Sequence, residues 1–236
     1  MDPSVSKAAL EPWGLVERLA ALPALAHVST ACLAALAEHG GVRSFVAGET
    51  ILEEGRPVDA VYCVLSGRAK MERSVENGRR ALLALFHPGD LFGTTAALGR
   101  RAGDASVIAL QALSCLHLAR QELMALLKRR PELLEELLPL LTRPLAECRH
   151  CTVELSSLRV EERLAKLLLK LADSFGRPVP GGTLIPIQLS RQELADMTGT
   201  TIETCIRIMS AWGKKTWVVT GKQGFVVVNR NALECL

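Results

Sequence analysis

Two cysteines one helical turn apart, Cys148 and Cys151, are the residues of this sequence whose type and spacing point most directly to chemistry. Side chains three residues apart on a helix have Cβ atoms about 5–6 Å apart, so the two thiols could share one metal centre. Arg149 and His150 lie between them and could provide charge and hydrogen bonds around that centre. We therefore predict a cysteine-based sensor of redox state or metal at this position.

Cys148 also belongs to a repeat that predicts a helix pairing with a second copy of itself. Spacings of four and three residues alternate, as in the seam of a coiled coil, through Leu134, Leu138, Leu141, Leu145, Cys148, Thr152 and Leu155. We predict a parallel homodimer with its interface at the last five of these positions. Pro139 and Pro144 are expected to interrupt the helix, leaving a regular coiled coil from Pro144 onward. The alternative is a helix packed on its own β domain.

A parallel dimer would bring two copies of Cys148 and Cys151 together around its axis. Four thiolates suit an iron–sulfur cluster, which we favour, or a zinc ion; a reversible disulfide is a further alternative. The competing interpretation is that both cysteines only fill space at the interface, since cysteine is often buried.

A second chemically suggestive pair, Glu203 and Arg207, lies four residues apart on one face of a predicted helix. A carboxylate can accept a hydrogen bond from cytosine N4, and a guanidinium can bind O6 and N7 of guanine. The pair therefore suggests that this helix reads bases in the DNA major groove. The alternative is an ordinary helical hairpin carrying a surface ion pair.

The residues around this pair predict a helix-turn-helix between Leu189 and Met209. Ser190 and Glu193 form a capping box, Gly199 suits the turn, and Thr201 caps the second helix. Five residues are expected to form the apolar seam between the two helices: Leu194, Met197, Ile202, Ile206 and Met209. A β-hairpin predicted at 217–228 would make this a winged helix-turn-helix, with phosphate contacts from Lys214, Lys215 and Lys222.

The distribution of charge supports a nucleic-acid partner at the C-terminal end. Residues 159–236 hold eleven Lys or Arg and seven Asp or Glu, a balance of +4, whereas residues 1–158 hold seventeen and eighteen, a balance of −1. Basic charge on a docking face attracts phosphate. No secretory segment or membrane span is apparent, and seven scattered cysteines do not suggest a disulfide framework. A soluble, cytoplasmic protein without membrane contact is therefore expected.

The remainder of the chain divides into recognisable regions. Short helices are expected at 13–37, short β-strands with glycine turns at 42–118, including a hairpin at Asn77-Gly78, a helix at 160–175 and a loop at 176–182. We predict an α+β protein: an N-terminal β-roll with helices (1–119), a dimerisation helix region (120–158) and a winged helix-turn-helix domain (159–236).

This order of parts resembles the CRP/FNR superfamily of bacterial transcription regulators. Three features carry the resemblance: a series of glycine-containing turns in the β-roll, the helix-turn-helix, and a segment between them that is similar to the FNR branch. That segment is Val160-Glu-Glu-Arg-Leu-Ala165. The turn motifs are Gly48-Glu49, Glu54-Gly55, Leu65-Ser-Gly67 and Pro88-Gly-Asp-Leu-Phe-Gly93.

The resemblance implies a near-palindromic DNA site whose half-sites keep a central G·C pair. Glu203 and Arg207 match the base-reading residues of the family, and Arg191 matches a residue that contacts the DNA backbone. Thr200, Thr201, Ile202 and Lys222 complete the predicted DNA-contact set. RNA polymerase is an implied partner if the protein is an activator.

The resemblance also implies what the signal is not. Cyclic-nucleotide members hold phosphate with a Gly-Glu pair and an Arg-Ser pair, but here those positions read Gly93-Thr94 and Asp104-Ala105, so cAMP is not expected. The alternative is a shifted binding mode that uses the nearby Arg100 and Arg101. The N-terminal cysteine group of the FNR branch is also missing, since only Cys32 is present; Cys115 is interpreted as a small buried residue. The alternatives to the cysteine sensor are a small molecule in the β-roll or haem bound by His87, His117 or His150.

An enzyme is not expected. Cys148 and His150 are two residues apart and would point about 200° apart on a helix, which prevents them from acting as a nucleophile and its base. The sequence also lacks the Gly-x-Ser-x-Gly, His-Glu-x-x-His and phosphate-loop motifs.

Overall fold

The computed structural model describes residues 12–75 and 78–236 and divides the chain into two compact units, one ending at Ala146 and the other spanning Glu147–Leu236. The dimerisation region expected at 120–158 is thus shared between the two units. Among the described helices, none combines the length and apolarity needed to cross a membrane.

Helices open the first unit, and a double-layered β-roll follows them. The helices are α1 (Pro12–Ala20), a 3-10 turn (Pro23–Leu25) and α2 (Thr30–His39). The strands of one antiparallel sheet are β1 (Gly41–Phe45), β8 (Leu113–Ala119), β3 (Ala60–Ser66) and β6 (Leu91–Phe92), in that order. The strands of the other are β2 (Thr50–Leu52), β7 (Ser106–Ala109), β4 (Ala69–Ser74) and β5 (Arg80–Phe86).

Small helix α3 (Thr94–Gly99) joins β6 to β7 and was not anticipated. Strands β4 and β5 pair antiparallel on either side of the predicted hairpin turn; Asn77 itself lies outside the described residues.

Aromatic rings help to fill the space between the two sheets of the roll. Tyr62 and Phe92 stack with their centroids 4.9 Å apart, and Phe86 lies 5.3 Å from Phe92. Cys115 is fully buried in the same cluster, which confirms its interpretation as a small core residue.

The opposite face of the β3–β8 sheet packs against helices. After α4 (Arg120–Arg129), helix α5 (Pro131–Ser157) buries Leu133, Leu137 and Leu140 in a cluster shared with α1, α2 and that sheet. The expected interruption at Pro139 and Pro144 is wrong, because α5 is continuous through both. Both prolines are exposed. Each lacks the N–H that would complete a helical hydrogen bond, and the burial of the three leucines keeps this part of the chain helical despite that loss.

The second unit is a winged helix-turn-helix. It contains α6 (Val160–Phe175), β9 (Arg177–Val179), β10 (Gly182–Ile185), α7 (Arg191–Thr198), α8 (Ile202–Lys214), β11 (Val218–Gly221), β12 (Gly224–Val227) and α9 (Arg230–Glu234). The four strands form one sheet in the order β11-β12-β10-β9. The loop expected at 176–182 is therefore partly wrong: β9 pairs with β10, which in turn pairs with the wing strand β12.

Candidate nucleic-acid interface and signal site

The helix-turn-helix forms with the capping residues that the sequence predicts. The Ser190 side chain accepts from the Glu193 amide while the Glu193 carboxylate accepts from the Ser190 amide. Gly199 ends α7 with φ +60°, a conformation that glycine adopts without a steric penalty. The Thr201 hydroxyl accepts from the Thr204 amide and caps α8. These predictions are confirmed, and they fix where the recognition helix α8 begins.

The outward face of α8 carries the predicted base-reading pair. Glu203 and Arg207 are both exposed. The buried face consists of Cys205, Ile208, Met209 and Trp212. The apolar seam predicted for this helix is therefore wrong at Ile206, whose side chain is 45% exposed; Ile202 is only half-buried. Apolar residues recur at spacings of three and four on both sides of this helix. The side that carries the deeply buried Trp212 faces the core, so Ile206 faces outward.

Two hydrogen bonds join the start of α7 to the wing formed by β11 and β12. Arg191 Nη2 donates to Thr220 Oγ1 at 2.7 Å, and its guanidinium lies 5.5 Å from the centre of the Phe225 ring. Gln188 Nε2 donates to the Lys222 carbonyl at 2.6 Å. Arg191, which the resemblance assigns to the DNA backbone, thus also positions the wing; sequence reasoning missed this role because the partners are 29 residues apart.

Exposed lysines lie at the C-terminal end of the recognition helix and in the turn of the wing. Lys214 and Lys222 are exposed, and Lys215 Nζ lies 4.4 Å from the centre of the Trp217 ring. Thr200 is half-buried in the turn, and Thr201 is exposed. These residues lie at the two ends of α8 and in the turn of the wing, and lysine and threonine side chains are among the groups that contact DNA phosphates.

An arginine at the start of α6 ties the helix-turn-helix to the end of α5. Arg163 donates to the carbonyl of Leu158 at 2.8 Å, to that of Thr198 at 2.9 Å and to that of Gly199 at 3.3 Å. Leu155 adds an apolar contact, since a Cβ built on Gly199 would lie 2.5 Å from Leu155 Cδ2. The turn of the motif thus rests on the last residues of the predicted dimer helix.

The stretch of α5 from residue 144 to residue 153 is exposed on every side in the single chain. All residues from 144 to 153 are exposed, including Leu145 at 61%. The other seam positions face outward as well: Leu134, Leu138, Cys148, Thr152 and Leu155 are exposed, and Leu141 is partly buried. The alternative is that this helix packs on its own β domain. Only the face that carries Leu133, Leu137 and Leu140 is buried in that way.

Cys148 and Cys151 differ from the buried cysteines of this chain. Both are exposed on α5, whereas Cys63 and Cys115 are buried, and burial raises the pKa of each of these two thiols to about 12. Within the described residues of a single chain, no three His, Cys, Asp or Glu side chains come together as a metal site. A four-ligand centre at this pair would therefore need ligands from a second copy.

The region that matches the phosphate-binding cassette lies around α3. Gly93 precedes the helix with φ +77°, Thr94 is its first residue, Ala105 is buried and Asp104 is exposed. A carboxylate at residue 104 would repel a phosphodiester, which needs cations and hydrogen-bond donors.

A groove of about 540 Å³ lies nearby in the roll, with Arg56, Arg80 and Ser106 in its wall. The Arg80 guanidinium is already engaged by Glu72, at 2.7 Å. Burial alone would raise the pKa of the Glu72 carboxyl, but hydrogen bonds from Lys70 and Arg80 lower it.

The three histidines considered as haem ligands lie in different surroundings. His117 contacts the Tyr62 ring edge-on, and burial lowers its pKa. His87 lies beside the buried carboxylate of Asp90, which also pairs with Arg143 of α5. His150 is exposed.

Comparisons with known proteins agree with both units. Residues 42–130 match the family model of the cyclic nucleotide-binding domain, and residues 162–236 match that of the Crp-like helix-turn-helix domain. The cyclic AMP receptor protein of Thermus thermophilus is 34% identical over 194 residues, covering 81% of this chain and 85% of its own.

Two further comparisons extend this likeness. A CRP-like cAMP-activated global transcriptional regulator of Mycobacterium tuberculosis is 29% identical over 191 residues, covering 81% of this chain and 85% of its own. The crystal structure of a CRP/FNR-family transcriptional regulator, also from Thermus thermophilus, matches with a TM-score of 0.70 and 26% identity, covering 82% of this chain and 96% of that one.

Proposed function

Because the chain belongs to the CRP/FNR family of transcription regulators and carries the family's helix-turn-helix DNA-binding domain, we propose that it works as a parallel homodimer on near-palindromic DNA and is gated by a cysteine-based signal. The observation that carries the DNA-binding part is the outward pair Glu203 and Arg207 on a capped recognition helix.

The exposed segment of α5 supports the homodimer. A helix with Leu145 61% and Leu155 46% exposed leaves apolar surface in water, and pairing with a second copy would bury it. Since the exposed leucines repeat at heptad spacing, a parallel arrangement brings each seam residue against its own counterpart. Two recognition helices would then meet half-sites about 34–36 Å apart, one turn of DNA.

Base reading assigns Arg207 to guanine and Glu203 to cytosine in each half-site. Arg207→Ala should therefore weaken binding by about 1–3 kcal/mol on a duplex with the G·C pair, measured by fluorescence anisotropy at one fixed salt concentration. On a duplex changed at that pair, the variant should lose much less.

Arg177→Ala is the matched control for this experiment, because Arg177 is equally an exposed arginine of the second unit but lies on β9, at the sheet edge opposite the wing. An equal loss for Arg207→Ala on all sequences would mean that Arg207 contacts only phosphate. A wild type that binds chosen and random duplexes alike would refute specific DNA recognition.

The exposed cysteine pair supports a sensor on the dimer helix. Cys148 lies on the seam and Cys151 one turn along on its flank, so a parallel dimer would gather four thiols around its axis. Four thiolates suit an iron–sulfur cluster, whose bound chemistry would respond to oxidants, and Arg149 and His150 are exposed beside the pair. Any change at this site would alter helix pairing a few residues before Leu155, and before Arg163, whose side chain donates to the carbonyls of Thr198 and Gly199 in the helix-turn-helix.

A visible spectrum with iron, sulfide and zinc analysis tests the sensor on protein purified without oxygen. A cluster predicts a brown protein that contains iron and sulfide. Cys148→Ser should lose the colour, whereas Cys235→Ser, which alters an exposed cysteine elsewhere in the chain, should keep it. Zinc without colour would indicate a zinc centre instead.

A colourless, metal-free protein would favour the second candidate, a regulator gated by a small molecule in the β-roll. The groove beside Arg56, Arg80 and Ser106 supports that candidate. The carboxylate of Asp104 and the absence of the Arg-Ser pair argue against cAMP as the molecule, and the exposed or engaged histidines give haem little support.

A further inference from the structure

We infer that Ile206 contacts the 5-methyl group of a thymine beside the G·C pair in each half-site, and so sets the sequence that the regulator selects. This inference rests on the proposed DNA-binding function. Its starting point is the 45% exposure of Ile206 in the middle of the recognition helix, where the sequence pattern had predicted a core residue.

Helical geometry places Ile206 within the face that meets DNA. Counting about 100° per residue, Ile202, Glu203, Ile206, Arg207 and Ser210 span an arc of about 140°. The buried residues Cys205, Ile208, Met209 and Trp212 lie on the other side of the helix. Ile206 lies between Ile202 and Arg207 on this arc, so a helix that brings Arg207 to a guanine also brings Ile206 to the groove floor.

The chemistry of the groove selects the base. Within the major groove, thymine is the base that offers an apolar group, its 5-methyl, whereas the other base edges offer hydrogen-bond donors and acceptors. An isoleucine can satisfy none of those polar groups, and against cytosine or adenine it would leave them without water or a partner. Contact with a methyl group instead removes apolar surface of both partners from water.

Replacing thymine by uracil removes this methyl group and leaves base pairing unchanged, which makes a direct test. The wild-type protein, prepared without oxygen and again after exposure to air, first enriches duplexes from a pool with a random centre. Each thymine of the enriched site is then replaced by deoxyuridine, one symmetric pair at a time. Binding is measured by fluorescence anisotropy for wild type, Ile206→Ala and Ile206→Val.

We expect one thymine position at which uracil weakens wild-type binding by about three- to tenfold per half-site. Ile206→Ala should bind the thymine and uracil duplexes equally at that position, and Ile206→Val, which keeps the branched methyl groups, should retain most of the difference. Because the side chain is exposed, thermal unfolding of the three proteins should agree.

Two results would overturn the inference, and they are distinguishable. If Ile206→Ala keeps the full wild-type sensitivity at every thymine, or the wild type has none, Ile206 reads no methyl group while DNA recognition stands. If neither preparation enriches any sequence, the proposed DNA-binding function fails and this inference with it.

Discussion

The two halves of α5 have similar apolar content but different surroundings. In the first half, Leu133, Leu137 and Leu140 are buried against the N-terminal helices and the β3–β8 sheet. In the second half, every residue from 144 to 153 is exposed, although Leu145 and Val153 are as apolar as the buried leucines. The first half thus completes the core of its own unit, and the second half has apolar surface available for a partner.

The cysteines follow the same division. Of the two cysteines on strands of the roll, Cys63 is buried between its sheet and the helices and Cys115 is buried between the two sheets; burial raises the pKa of each to about 12. Cys148 and Cys151 lie in the exposed half of α5. Core cysteines act as small apolar residues, so among these four thiols the accessible pair is the one on the exposed half of α5.

Thiol labelling should separate the two groups of cysteines by the largest factor. At pH 8 a thiol with a pKa near 12 is ionised to only about one part in ten thousand, and the thiolate is the reactive form. In native, chelator-treated protein diluted until the chain is monomeric, iodoacetamide should therefore modify the exposed Cys148 and Cys151 at least about a thousandfold faster than Cys63 and Cys115. Peptide mass spectrometry at timed intervals gives the individual rates.

The sign of the pH dependence sharpens this comparison. As pH rises toward 12, the thiolate fraction of Cys63 and Cys115 increases, so their labelling should accelerate for as long as the fold persists. In guanidinium chloride all four cysteines should react at similar rates. Fast labelling of Cys63 in native protein would contradict the division between the two regions.

A charge on the seam should have the next largest effect. Leu145→Asp would place two carboxylates against each other in the predicted interface, and burying an unpaired charge is strongly unfavourable. We expect the dimer dissociation constant to rise at least about a hundredfold, with little change in the folding of the single chain. Sedimentation velocity over a concentration series measures the dissociation constant.

Val153→Asp is the matched control for this substitution. Val153 is 60% exposed, against 61% for Leu145, and lies in the same exposed stretch of α5. It follows the seam residue Thr152 by one position and is therefore not itself a seam residue. It should leave the dimer intact. An unchanged dimer in Leu145→Asp, or equal dissociation in both variants, would show that α5 does not pair along the predicted seam.

Local signals in the sequence predicted the helix-turn-helix well. Ser190, Gly199 and Thr201 act on residues no more than a few positions away, so their effects can be judged without the rest of the fold. The outward orientation of Ile206 could not be predicted in this way. Its spacing fits either face of α8, and the choice depends on Trp212, whose Nε1 donates to Glu161 Oε1 in α6 at 2.9 Å.

Tertiary packing also explains the other errors. Pro139 and Pro144 are helix-breaking by themselves, but the leucines beside them are held in a core assembled from α1, α2 and the roll. Residues 177–179 look like a turn because Pro178 and the nearby glycines dominate the composition, yet Gly182–Ile185 pairs with both β9 and the distant β12. β9 and β10 are neighbours in the chain, whereas the pairing of β10 with β12 joins residues such as Thr183 and Val227, which are too far apart in sequence to leave a local pattern.

The clamp formed by Arg163 and Leu155 gives the second unit the mechanics of a lever. The Arg163 guanidinium links the turn at Gly199 to the end of α5, because it donates to the carbonyls of Thr198 and Gly199 and also to that of Leu158. The Leu155 side chain packs against Gly199 as well. If the second unit rotates about this turn, a small twist of α5 moves Lys214, at the far end of the recognition helix, more than it moves the residues beside the turn. The reason is the length of α8, which has 13 residues. A twist of α5 by the proposed signal would therefore displace the end of α8 farthest from the turn more than the end beside it.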